Sequence, residues 1–240
     1  AWNAMDWESH NEWMIKAEQL FPPSNDLTLE ADKLFYLGNP SNEGLEKNPQ
    51  NDLLLNQTRL QKALNFYQQL NNQPMIAASQ LAIAQNYTLD LSSREQALKQ
   101  ALILYRKLRQ PFELAQTLIY AGFYQVQLHN GEKALEYFRQ AKQIATELDS
   151  KPLLKNSDFY IAFAMLDQGL DQTALGSHPT QIEKLEQAIK LLNAFIANQS
   201  APYYHASALV FLGWAHTDLG NYDQALSVLN EAKILSKKLN

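Results

Sequence analysis

The sequence predicts an all-α fold built as a stack of antiparallel helix pairs, and three observations carry that reading. Pro74, Pro111, Pro152 and Pro202 each stand before a long amphipathic stretch, at spacings of 37, 41 and 50 residues. Proline is tolerated in a helix's first turn, where its missing N–H has no intrahelical acceptor to lose. Between the prolines apolar residues recur with helical period, as in Ile182, Leu185, Ala188, Ile189, Leu192, Phe195 and Ile196, and no segment sustains the period-two alternation of a strand. The third observation is a pair of small-residue columns. One holds Ala82, Gly122, Ala162 and Gly213, and the other Ala101, Ala141, Ala188 and Ala232. Two helices' worth of sequence per proline is the cadence of helix-pair solenoids.

Taken in order, the chain opens with Trp2 to Phe21, an amphipathic stretch with Trp2, Met5, Trp7, Trp13, Met14, Leu20 and Phe21 on its apolar positions. It is too apolar for a solvated tail and is expected to cap the first repeat, to fold into a groove, or to dock on another subunit. Its acidic residues exclude a signal peptide. Leu27 to Leu37 reads as a short helix, and Gly38 to Asn51, with Pro40, Gly44, Pro49 and four asparagines, as a loop. The next expected helix is 52–71, the second half of an early pair.

Four pairs follow: 74–88 with 92–109, 112–129 with 131–148, 152–168 with 180–197, and 202–219 with 222–239. The third contains a longer turn, Leu170 to Pro179, which accounts for the widest proline spacing. Ser92 with Glu95 and Thr180 with Glu183 fit the capping box, in which each side chain satisfies an orphan N–H. By domain, residues 1–51 form the N-terminal helix, short helix and loop, and 52–240 the repeat array, with pairs at 74–109, 111–148, 152–197 and 202–239. Ten or eleven helices and no strands are expected.

Composition narrows the function. Apolar residues make up 46% of the chain, enough for a substantial core. The net charge of −5 argues against nucleic acid as a main partner, since phosphate binding needs a basic footprint. No apolar run approaches the roughly 18 residues of a membrane span, so a soluble chain is expected. The absence of cysteine excludes disulfides and thiolate chemistry. It is compatible with either cytoplasm or periplasm.

The last repeat holds a specific pattern. Leu209, Leu212, Gly213, Leu219, Gly220, Tyr222, Ala225, Leu229 and Ala232 closely resemble the tetratricopeptide repeat (TPR) consensus. The resemblance covers about residues 73–240. It is good in the repeat that begins at Pro111 and degenerate in the other two, where Arg94 and Gln181 replace a usual small residue. The period of about 40 exceeds the family's usual 34 or so and resembles that of bacterial regulatory arrays. The resemblance implies a right-handed α-solenoid in which small residues let the two helices of a repeat approach closely, Gly213 facing Ala232 and Gly122 facing Ala141.

The resemblance also implies that first helices line a concave, peptide-binding surface. On this chain the inward columns read Ile83, Phe123, Phe163 and Trp214; Ser79, Ile119, Phe159 and Val210; and Gln80, Tyr120, Tyr160 and Phe211. The expected binding residues are Ile119, Tyr120, Phe123, Phe159, Tyr160, Phe163, Val210 and Trp214, flanked by Asp167 and Asp218. Aromatic rings carry much of the energy at interaction hot spots, and they are equally at home as packing between helices. The family's chaperone-tail binders clamp a carboxylate with Asn and Lys. Aromatic or acidic residues stand at those positions here, which favours an apolar, neutral-to-basic ligand.

Catalytic motifs are missing. The histidines (His10, His129, His178, His205 and His216) show no metal-binding spacing, and there is no P-loop, GxGxxG or GxSxG. Neither cofactor nor metal is expected, and the chain reads as no enzyme. The function expected is a scaffold that binds a protein or peptide, without nucleic acid. The alternative is a ligand-sensing or regulatory domain of a larger signalling protein, transcription regulator or protease. Leu226, Leu229 and Leu235 lie where a following helix would cover them, because solenoid ends need a polar cap. Continuation of the chain or self-association, through that end or the N-terminal helix, is therefore expected.

Overall fold

The computed structural model describes residues 25–39, 49–86, 89–170, 179–197 and 202–239. The stretch Trp2 to Phe21, most of the 38–51 loop and the 170–179 turn lie outside the described residues. Among those described there are ten helices and no strand. The helices are α1 (Leu27–Gly38), α2 (Pro49–Gln69), α3 (Gln73–Ala84), α4 (Leu91–Leu108), α5 (Pro111–Gln127), α6 (Gly131–Glu147), α7 (Lys151–Leu170), α8 (Pro179–Ala197), α9 (Pro202–Asp218) and α10 (Tyr222–Leu239). The chain divides into two compact units, Ala1–Gln110 and Pro111–Asn240. None of the ten helices is long and apolar enough to cross a membrane.

Proline punctuates the helices more regularly than its four expected positions. Pro49 and Pro179 also occupy first helical positions, so α2 starts three residues earlier than expected and takes up the end of the 38–51 loop. The caps differ as well. Asp90, not Ser92, caps α4 and accepts from the Ser93 N–H at 2.9 Å. An aspartate two residues upstream offers an equally good acceptor and lets the helix begin earlier. Glu95 is thereby released to pair with Lys99 at 2.8 Å. Thr180 lies inside α8 rather than at its cap.

Five helices end in one way. Asn71, Arg109, His129, Asp149 and Gly220 all have positive φ, between 50° and 75°. Each donates its N–H to the carbonyl three residues back, and the next residue donates to the carbonyl five back, as in His129 to Val126 and Asn130 to Gln125. These bonds satisfy carbonyls that the helix end leaves orphaned. The helix α3 ends differently, at Ala84 rather than 88. Its last carbonyl accepts from Arg94 Nε at 3.0 Å. The arginine that departs from the repeat pattern is therefore a buried C-terminal cap.

In the first unit α1 packs on α2, α2 on α3, and α3 on α4. Ala31, Ala63 and Tyr67 form a fully buried cluster, packed round by Leu34, Phe35, Phe66, Met75 and Ile76. The Tyr67 hydroxyl donates to Asp32 Oδ1 at 2.6 Å. Burial first, and the Asp32 carboxylate second, push its pKa far up. Gly38 closes the pair: a Cβ there would fall 2.9 Å from the Asn56 carbonyl oxygen and 3.0 Å from Leu60. The short helix Leu27 to Leu37 is thus the first half of a genuine early pair.

In the second unit each helix from α5 to α9 packs on its successor, and α5 also touches α7, as α7 touches α9. The small-residue columns are buried, and the atoms nearest to each glycine belong to a large side chain of the partner helix. A Cβ on Gly122 would collide with the Phe138 ring, and one on Gly213 would lie 2.5 Å from Leu229. Each glycine therefore receives a large side chain three residues before the alanine expected to face it. Leu229 is consumed by this contact. It is not part of the exposed face of α10, where Tyr222, Leu226 and Ile234 remain open.

Candidate functional site

The direct α5–α7 and α7–α9 contacts bring residues of three first helices onto one face of the second unit. Amphipathic spacing selects which residues reach it. Phe123 on α5, Phe163 on α7 and Phe211 on α9 form a ring-to-ring series: Phe123 and Phe163 stack at 6.5 Å between centroids, and Phe163 and Phe211 at 4.8 Å. Trp214 extends the series at 5.3 Å from Phe211. Offset or tilted rings at such distances gain over simple area burial.

The series is backed by a second layer. Phe159 is 5% exposed and lies among Phe195, Tyr204 and Phe211, at 5.0, 5.9 and 5.5 Å. Tyr160 bridges the layers, 6.2 Å from Phe123, 5.3 Å from Phe159 and 5.5 Å from Phe138. Phe138 is the ring that fills the space above Gly122, so the helix-pair contact and the aromatic face are mechanically one structure. Ile119 is also buried, at 8%.

The expected site residues thus separate by depth. Ile119 and Phe159 stand beneath the face. Phe123, Tyr160, Phe163 and Val210 are half-buried, and Tyr120 and Trp214 are 42% and 43% exposed. Aromatic contacts join Phe123, Phe159, Tyr160, Phe163 and Trp214 through Phe211. That hub stands in one of the inward columns of the sequence yet was not singled out as a binding residue. Phe195, from a second helix, and Tyr204 are the residues that sequence reasoning missed. Neither belongs to a first-helix column, and only the packing of α8 on α7 brings Phe195 to Phe159.

Asp167 and Asp218 follow Phe163 and Trp214 by four residues, hence one helical turn further along the same side. Both are half-buried. Asp218 Oδ2 is shielded from solvent without a hydrogen-bond partner, as is His216 Nδ1. Burial raises the Asp218 pKa and lowers that of His216. Each shift has the sign of a charge removed from water without a compensating partner. No three His, Asp or Glu side chains come together to hold a metal among the described residues.

Comparison with known proteins adds the fold's relatives. No family model matches the chain, and no curated protein matches it. Solved structures do. BtubC (BKLC) from P. vanneervenii is similar with a TM-score of 0.63 at 15% identity, over 99% of this chain and 93% of that one. The TPR-like repeats of a putative kinesin light chain from Podosopora anserina match with a TM-score of 0.61 at 14% identity, covering 88% of this chain and 95% of theirs. The apo form of RapI matches with a TM-score of 0.61 at 16% identity, over 97% of this chain and 59% of RapI. The fold is that of the tetratricopeptide-type helical repeats.

Proposed function

We propose that this chain is a protein-interaction module that holds an apolar peptide segment, or one face of a partner helix, against α5, α7 and α9. The observation that carries this reading is the ring series from Phe123 to Trp214, half open to solvent along its length. A ring series serving the core alone would be buried throughout, as Phe138 and Phe159 are. Contiguous exposed apolar surface on a helical scaffold is the usual mark of a docking site. Rigid rings gain binding area at low entropic cost. Tyr120, Phe123, Tyr160, Phe163, Val210 and Trp214 are the contacting residues in this reading, Ile119 and Phe159 their support, and Asp167 and Asp218 the polar rim.

The test pairs binding with stability. A displayed library of 12-residue peptides is selected on the immobilised chain, and the best binder is titrated against Trp214→Ala and against Tyr222→Ala, which removes an exposed ring from α10. Trp214→Ala is expected to weaken binding by about 2 kcal/mol with little change in the thermal unfolding midpoint, and Tyr222→Ala to leave binding intact. Selection of no peptide, or equal losses in the two variants, overturns the assignment. Phe159→Ala serves as the packing control, since emptying a buried aromatic site costs about 3–5 kcal/mol of stability.

A further inference from the structure

The rim of this face carries an arrangement that local helix energetics disfavours. The carbonyl end of a helix bears partial negative charge, and cations rather than carboxylates stabilise it. Yet α9 ends on Asp218 itself, and Asp167 stands in the last turn of α7. The last turn of α7 holds no basic residue, and that of α9 holds only His216, which burial pushes toward its neutral form. Elsewhere in the unit Asp158 pairs with Lys142 at 2.6 Å and Glu132 with Lys184 at 3.3 Å. Asp218 Oδ2 is shielded from water and has no hydrogen-bond partner. A negative helix end, a half-buried carboxylate whose inner oxygen has no donor, and an exposed indole one turn earlier therefore share one side of α9.

We propose that Asp218 and Trp214 form a receptor for a lysine or arginine side chain of the bound segment. This rests on the reading of the α5/α7/α9 face as the binding surface and names the chemistry at one end of it. The alkyl stem lies across the Trp214 and Phe211 rings, which take its methylenes out of water. The ammonium or guanidinium then donates to the open edge of the half-buried Asp218 carboxylate, a charge-assisted bond. The indole face adds attraction for the same cation. The net charge of −5 gives a basic segment a favourable approach. The partner so defined is a peptide segment in which a basic residue adjoins apolar ones.

The experiment is the same 12-residue library selection, run on the intact chain and on Asp218→Asn, which keeps the shape and removes the charge. The intact chain is expected to enrich peptides with Lys or Arg beside apolar residues, and Asp218→Asn to enrich apolar peptides without that preference. A chosen lysine peptide, with its norleucine counterpart, is then titrated by fluorescence anisotropy. Lys→norleucine and Asp218→Asn are each expected to weaken binding about tenfold, and together no more than either alone, which a purely structural aspartate would not produce. Apolar peptides enriched without a basic preference would overturn the cation receptor and leave the binding face standing. A basic preference that survives in Asp218→Asn would overturn Asp218 as its seat. Enrichment of no peptide at all would overturn the binding face, and this inference with it.

Discussion

Gly122 shows what a single residue does in this fold. With no Cβ, it leaves room for the Phe138 ring, which is fully buried and stacks on Tyr160 at 5.5 Å. A methyl group there would force that ring, and Tyr160 behind it, out of place. Gly122→Ala is therefore expected to destabilise the protein by about 1–3 kcal/mol through overpacking, although alanine is the better helix former by roughly 1 kcal/mol. Chemical denaturation of the two proteins decides it, and an unchanged or raised midpoint would show that the ring has somewhere else to go. The column containing Gly122 was legible in the sequence because spacing fixes which residues share a side of a helix. Its partner was not. Spacing says nothing of the axial stagger between antiparallel helices, and that stagger brings the Phe138 ring nearest to Gly122. Arg94 escaped for a related reason: as a departure from the repeat it looked like degeneracy, whereas its side chain reaches back to cap Ala84.

At the scale of the element, the helices were readable where proline and periodicity coincide. Helix ends were less so, because several nearby residues can cap and only three-dimensional geometry chooses among them. The five left-handed ends make this concrete. The sequence marks just one with glycine, Gly220, while Asn71, Arg109, His129 and Asp149 adopt the same conformation with a side chain attached. Left-handed backbone costs an ordinary residue about 1–2 kcal/mol, and a glycine loses somewhat more chain entropy on folding. The first effect outweighs the second. His129→Gly is thus expected to stabilise the protein by up to about 1 kcal/mol, since the exposed imidazole has no packing to lose. A raised thermal midpoint would agree with this, and a lowered one would mean that the side chain itself holds the turn between α5 and α6.

For the molecule as a whole, the chain divides into Ala1–Gln110 and Pro111–Asn240. The inward columns change character across that division. In the first unit they hold Ser79, Gln80 and Ile83, all buried; in the second they hold the half-open rings. The fold and the aromatic columns could both be read from the sequence, since each is a periodic pattern. The depth of each ring could not, because Phe159 and Phe163 obey one pattern and differ only in what α8 and α9 place over them. If binding follows the rings, it belongs to the second unit and to its first helices. Hydrogen–deuterium exchange with the library-selected peptide tests this over the entire chain at once. Slower exchange is expected in the last turns of α5, α7 and α9, where helix ends fray most readily, and no change is expected in α6, α8 or α10. Protection confined to the first unit would move the site off the aromatic face. Protection along Tyr222, Leu226 and Ile234 would assign binding to the open side of α10 instead.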